Sequence, residues 1–130
     1  MLNKVILIGY VGKTPEVRMT QKGDEILHFS LATSETWNDK QTGKRQRKTE
    51  WHAITVFNKT LLEMAKKYIK KGSKIYLEGN LQSRTWLDKE NNQRKVFEII
   101  LQGFQSKLIL LANEEKEEED IDNQYENIFD

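Results

Sequence analysis

The sequence predicts an all-β fold: a five-stranded Greek-key barrel with one α-helix between the third and fourth strands. Three observations predict it. Alternating apolar and polar residues recur in short runs separated by turn signals, as in strands with one face on a core. The period changes once, at residues 59–72, to that of a helix. The apolar content of 37% in 130 residues leaves room for one small core under a heavily charged surface.

The elements follow in order. "NKVILIGYVG", 3–12, is aliphatic at successive positions, so it is expected as a strand buried on both sides, with a bend or close approach at Gly9 and Gly12. "KTPEVRMTQKGDE", 13–25, holds the only proline, Pro15, and a turn at Gly23 around a short strand. "EILHFSLATSETW", 25–37, places Leu27, Phe29 and Leu31 on one face and His28, Ser30 and Ala32 on the other. "NDKQTGKRQRK", 38–48, is a charged loop turning near Gly43.

"TEWHAITVFNK", 49–59, is the third long strand. Ile54 and Val56 mark its core face, with His52 beside them. The other face carries Trp51 and Phe57 with only Ala53 and Thr55 between. "KTLLEMAKKYIKKG", 59–72, places Leu61, Leu62, Ala65, Tyr68 and Ile69 on one helical stripe. The helix is expected to end with Lys70 and Lys71 in its last turn and Gly72 just beyond. In "SKIYLEGNLQSRTWL", 73–87, Ile75, Leu77 and Leu81 face one way, and Tyr76, Glu78, Arg84 and Trp86 the other. "DKENNQ" turns the chain, and "KVFEIILQGFQSKLILL", 95–111, supplies the last strand material. This order fits a barrel of the oligonucleotide/oligosaccharide-binding (OB) type over residues 1–112.

The net charge of +1 hides a split. Residues 113–130 hold nine acids against one base, and residues 1–112 hold 11 acids against 20 bases. The tail, 113–130, is too acidic and too poor in aliphatics to fold alone, so it is expected to be disordered. No run approaches the ~18 apolar residues of a membrane span, and the start does not resemble a signal peptide. Cysteine is absent, which removes disulfides and thiolate metal sites. With only His28 and His52, a histidine-rich metal site is not expected either.

The remaining signal is aromatic and basic. Trp37 precedes Lys40, Lys44, Arg45, Arg47 and Lys48; Trp51 follows them; Trp86 follows Arg84; Phe57 is followed by Lys59. Open rings can stack on exposed bases, and cations can meet the phosphates between them. Duplexes hide their base faces, so the pattern selects single strands. Neither contact reads a particular base. No phosphate-binding "GxxxxGK[ST]", no "HExxH" and no cysteine nucleophile occurs, so no catalysis, cofactor or metal is expected. "NKT", 58–60, matches a glycosylation sequon by chance.

"NKVILIGYVGKTPEVR", "LATSETWNDKQTGKRQRKTEWHAITVF" and "YIKKGSKIYLEGNLQSRTW" together resemble the bacterial single-stranded DNA-binding proteins, a family found also in organelles and phages. The resemblance spans about residues 2–111. It implies an OB subunit assembled as a homotetramer that protects single-stranded DNA in replication, recombination and repair. The implied setting is the cytoplasm, on the nucleoid, for a bacterial protein. The family's stacking aromatics fall on Trp37, Trp51, Phe57 and Trp86, and its phosphate-contacting bases on Lys40, Lys59, Lys71 and Arg84. Its interface histidine falls on His52. Relatives end in acids followed by Ile-Pro-Phe, and dock replication and repair enzymes through that tip. This chain ends "YENIFD", keeping Ile128 and Phe129 without the proline, so a weakened or altered docking is expected. The acidic tail is also expected to compete for the basic surface when DNA is absent.

Overall fold

The computed structural model describes residues 1–112; the acidic tail and its Ile128–Phe129 pair lie outside them. Seven strands and one helix follow in the order β1 (Val5–Val11), β2 (Glu16–Met19), β3 (Glu25–Asn38), β4 (Arg45–Val56), α1 (Lys59–Tyr68), β5 (Lys74–Leu87), β6 (Gln93–Leu101) and β7 (Lys107–Leu110).

Five strands close a barrel. β1 pairs with β3, β3 with β4, β4 with β6, β6 with β5, and β5 returns to β1. Four of these ladders are antiparallel. β4 and β6 run parallel through Ile54↔Ile99, Thr55↔Ile100 and Val56↔Leu101, and this seam shuts the cylinder. The helix lies between the third and fourth barrel strands, as the change of period predicts. β2 adds to the edge of β3, and β7 pairs with the first half of β5.

Alternation decides what is inside. Leu27, Phe29 and Leu31 meet Ile54, Val56, Ile75, Leu77, Ile99, Leu101 and Leu108 in one core. Leu62, Ala65 and Ile69 of α1 and its C-cap join that core. Asn58 begins the helix: its side-chain oxygen accepts from the backbone N–H of Thr60 and Leu61 at 3.0 and 3.2 Å.

Three expectations need correction. The helix ends at Tyr68, so Lys66 and Lys67, not Lys70 and Lys71, occupy its last turn. Ile69 is extended, and Ser73 takes over: its hydroxyl accepts from Lys70 N–H, and its own N–H donates to Lys70 O, both at 3.0 Å. The chain must turn there to enter β5, and Gly72 (φ 87°) makes the turn. Second, β1 is not buried on both sides. Val5 and Leu7 pack toward the core, but Ile6 and Ile8 are exposed. Ile109 of β7 is exposed with them, across β5 from Ile8. Third, the 95–111 segment is broken by a turn at Gly103 (φ 83°) into two strands on one edge of β5.

Candidate nucleic-acid interface

Two long ribbons leave the barrel. β3 and β4 pair without interruption from Leu27↔Val56 to Asn38↔Arg45, and β5 and β6 from Asn80↔Ile100 to Leu87↔Gln93. Inside the barrel one face of each ribbon is core. Beyond it both faces meet water, which is why apolar alternation fades there in the sequence.

All four sequence-predicted aromatics are open to solvent: Trp37, Trp51, Phe57 and Trp86 are between 37 and 48% exposed. Register separates two of them. Trp51 stands opposite Ala32, on the outward face with Thr55, Arg45 and Arg47. Trp37 stands opposite Gln46, on the other face, with Lys48, Glu50 and His52. The two tryptophans flank the same basic loop in sequence but occupy opposite faces of one ribbon, five positions or roughly 17 Å apart along it. On the second ribbon Trp86, Arg84 and Glu98 share the outward face.

Trp51 owes its pose to Gly12, where the sequence suggested a bend or close approach without naming what approaches. Its indole lies over Gly12: a Cβ placed there would be 2.2 Å from Cζ3 and 2.8 Å from Cη2. Gly12 N–H is in turn held by Ser30 O at 2.9 Å. Beside this contact opens a cleft of about 440 Å³ lined by Gly12, Lys13, Thr14 and Lys71. β1 and the turn before β5 therefore bring Lys13 and Lys71 to the Trp51 side.

The other bases divide by partner. Among the described residues no ion pair joins Lys40, Lys44, Arg45, Lys59 or Lys71 to an acid. Lys48 lies 3.5 Å from Glu50, and Arg84 Nε donates to Glu98 Oε1 at 2.6 Å. Lys59 opens α1 and follows Phe57 by two residues. His52 is half-buried, with Nε2 2.8 Å from Thr33 Oγ1.

Two further groups were missed. Phe97 is exposed on β6, on the face opposite Trp86, with Lys95 Nζ 5.4 Å from its ring centre. The alternation of "KVFE" carried that signal. Glu98 was hidden, because only the tertiary fold places it between β4 and β5. His28 of β3 stands opposite Thr55 of β4 on the outward face: burial first, and Arg18 second, push its imidazole below the ordinary value, which favours the neutral ring. Among the described residues no group of three or more metal-ligating side chains occurs.

A closed OB barrel with open aromatics on two projecting ribbons, and with cations that among the described residues have no acidic partner on the first of them, defines the class: an OB-fold protein whose surface suits an extended polyanion carrying flat groups. Residues 2–107 match the model of the single-strand binding protein family. The chain belongs to that family. It is 52% identical over 110 residues to a single-stranded DNA-binding protein of Rhizobium meliloti, covering 85% of this chain and 63% of that one. It is 49% identical over 112 residues to one of Rickettsia typhi, covering 86% and 74%. The Plasmodium falciparum SSB solved in complex with ssDNA superposes with a TM-score of 0.78 at 38% identity, over 86% of this chain and 97% of that one. The chain thus spans somewhat under two thirds of the Rhizobium protein's length.

Proposed function

We propose that the chain binds single-stranded DNA with little base preference, stacking bases on Trp37, Trp51, Phe57 and Trp86. Phosphates between the bases meet Lys40, Lys44, Arg45, Arg47, Lys48, Lys59, Lys71 and Arg84. The observation that carries this reading is the exposure of four large rings on ribbons whose lysines are mostly without acidic partners. A monomeric surface rarely leaves such rings open without use. Because the ribbon faces differ, one strand must pass round a ribbon edge to reach both Trp37 and Trp51.

Bound strands are kept unpaired for replication, recombination and repair, in the compartment that holds the genome (the cytoplasm of a bacterium). Subunits associate, as a homotetramer, through apolar sheet surface. Ile6, Ile8 and Ile109 support that, being exposed together on a wall where Tyr10 and Tyr76 are only half-buried. His52, half-buried at the root of β4, is assigned to a subunit contact. The acidic tail recruits partner enzymes through Ile128 and Phe129.

The test is titration of intrinsic tryptophan fluorescence with dT oligomers at two salt concentrations. Saturable quenching that weakens with salt supports the reading; no quenching overturns it. Deleting residues 125–130 should weaken partner-enzyme binding and leave quenching by DNA intact. Unchanged binding to every partner would refute the tail's role.

A further inference from the structure

The outward face of the barrel carries a row of polar groups that open aromatics do not require. β3, β4, β6 and β5 lie side by side, and each contributes one member. His28 Nδ1 lies 3.1 Å from Thr55 Oγ1. The Thr55 hydroxyl donates to Glu98 Oε2 at 3.3 Å. Arg84 Nε donates to Glu98 Oε1 at 2.6 Å. Thr55 has a single proton and gives it to Glu98, so its oxygen accepts from His28 and Nδ1 carries the ring proton. The row is directed throughout, and both carboxylate oxygens are used.

A carboxylate on this face opposes a polyanion by charge alone. Its placement explains its presence. The Glu98 side chain is 13% exposed and that of Arg84 is 68% exposed, so the acid sits behind the base. The guanidinium is a rigid plane of five N–H groups. Glu98 takes the Nε edge. Among the described residues no hydrogen bond or ion pair is recorded for the two Nη groups. An untethered arginine loses rotamer freedom when it meets a phosphate, and one held at Nε has lost it beforehand. Arg84 and Trp86 are two apart on one strand face, about 6.6 Å. A phosphate on the Nη edge therefore lies beside a base on the Trp86 ring.

We propose that Glu98 is a positioning residue: it holds the Arg84 guanidinium so that the Nη edge meets the phosphate next to the base stacked on Trp86. This rests on the single-stranded DNA reading above. The usual logic of charge would make Glu98 inhibitory, so the two accounts differ in sign.

The experiment is dT-oligomer titration across a salt series with the full chain, E98A, E98Q, E98D, R84A and R84A/E98A. Positioning predicts that E98A binds roughly two- to tenfold more weakly. The slope of log K against log salt should flatten by about 0.7, as in R84A. E98Q keeps an acceptor for Nε and loses the repelling charge, so it should bind more tightly than the native chain. R84A/E98A should bind no more weakly than R84A. Tighter binding by E98A overturns the proposal, because charge is then all that Glu98 contributes. Equal weakening by E98A with and without Arg84 also overturns it, since Glu98 would then act through the fold. E98D decides the matter even if E98A melts early: it keeps the charge but draws the carboxylate back from Arg84 Nε, so positioning predicts weaker binding, and unchanged binding by a folded E98D overturns the proposal. A native chain that fails to bind dT would remove the DNA reading itself, a result distinct from either.

Discussion

Replacing Gly12 with alanine should impair DNA binding by displacing the ring that lies over it. The added Cβ would lie 2.2 Å from Trp51 Cζ3, 2.8 Å from Cη2 and 3.2 Å from Cε3. Carbon atoms rest at about 3.5–4.0 Å, so the ring must move by about 1.3–1.8 Å. The backbone at Gly12 has no positive φ that would strain alanine, and the indole is partly exposed and can swing outward. Stability should therefore fall by only about 0.5–1.5 kcal/mol, the cost of an off-rotamer side chain. The stacking surface moves with the ring. Removing a stacking aromatic costs about 1–3 kcal/mol per base in OB-fold single-strand binders, this family among them, which bounds the loss of affinity. G12A should thus weaken dT binding by up to the effect of W51A. The double variant G12A/W51A should match W51A, because both changes act on one ring. Fluorescence titration and thermal melts measure both quantities. Unchanged affinity in G12A, or additive losses in the double variant, would refute the reasoning.

Two other predictions concern pH, and one concerns geometry. The folded pKa of His28 lies below its unfolded value of 6.5, through burial first and then Arg18, opposed by Glu98 and Glu16, with Arg84 adding to the lowering. The stability this contributes is present above pH 6.5 and is lost as pH falls through the folded value. Denaturant midpoints at pH 7.5 and 5.5 should draw apart less in His28→Asn than in the native chain; equal gaps would refute this. Glu78 is 5% exposed on the outer wall, and the hydrogen bond from Lys4 Nζ (2.6 Å) holds its carboxyl below the ordinary 4.5, with Lys107 Nζ 3.5 Å away. Its contribution is present above pH 4.5 and is lost as pH falls through the folded value, so the melting-temperature deficit of Glu78→Gln at pH 7 should shrink in acid. Single-tryptophan variants that keep Trp37 or Trp51, with phenylalanine at the other two positions, should titrate with different midpoints for a dT trinucleotide and with one shared midpoint for an oligomer long enough to pass round the ribbon edge. A shared midpoint already at the trinucleotide would contradict the opposite-face placement.

Much of this was legible from period alone. Leu27, Phe29 and Leu31, and Ile54 and Val56, alternate toward a core, and a strand has only two faces, so exposure of Trp51 and Phe57 followed from parity. The Leu62–Ala65–Ile69 stripe likewise had one buried solution. Trp37 was harder. Its parity could be counted within β3, but which face it shares with Trp51 depends on the β3–β4 register across a six-residue loop. β1 misled for a related reason: an aliphatic run reads as two buried faces whether the second face meets its own fold or stays open.

The sequence by itself determined the all-β class, the helix between the third and fourth barrel strands, the family, and a basic body joined to an acidic tail. Each is a matter of local period, composition or ordered motif. Tertiary structure alone decided that Gly12 lies beneath the Trp51 ring, that Glu98 stands behind Arg84, and that Trp37 faces away from Trp51. The first two depend on contacts between residues 39 and 14 positions apart, and the third on the register of β3 against β4. Such proximity arises from closure of the barrel, which no short window of residues encodes.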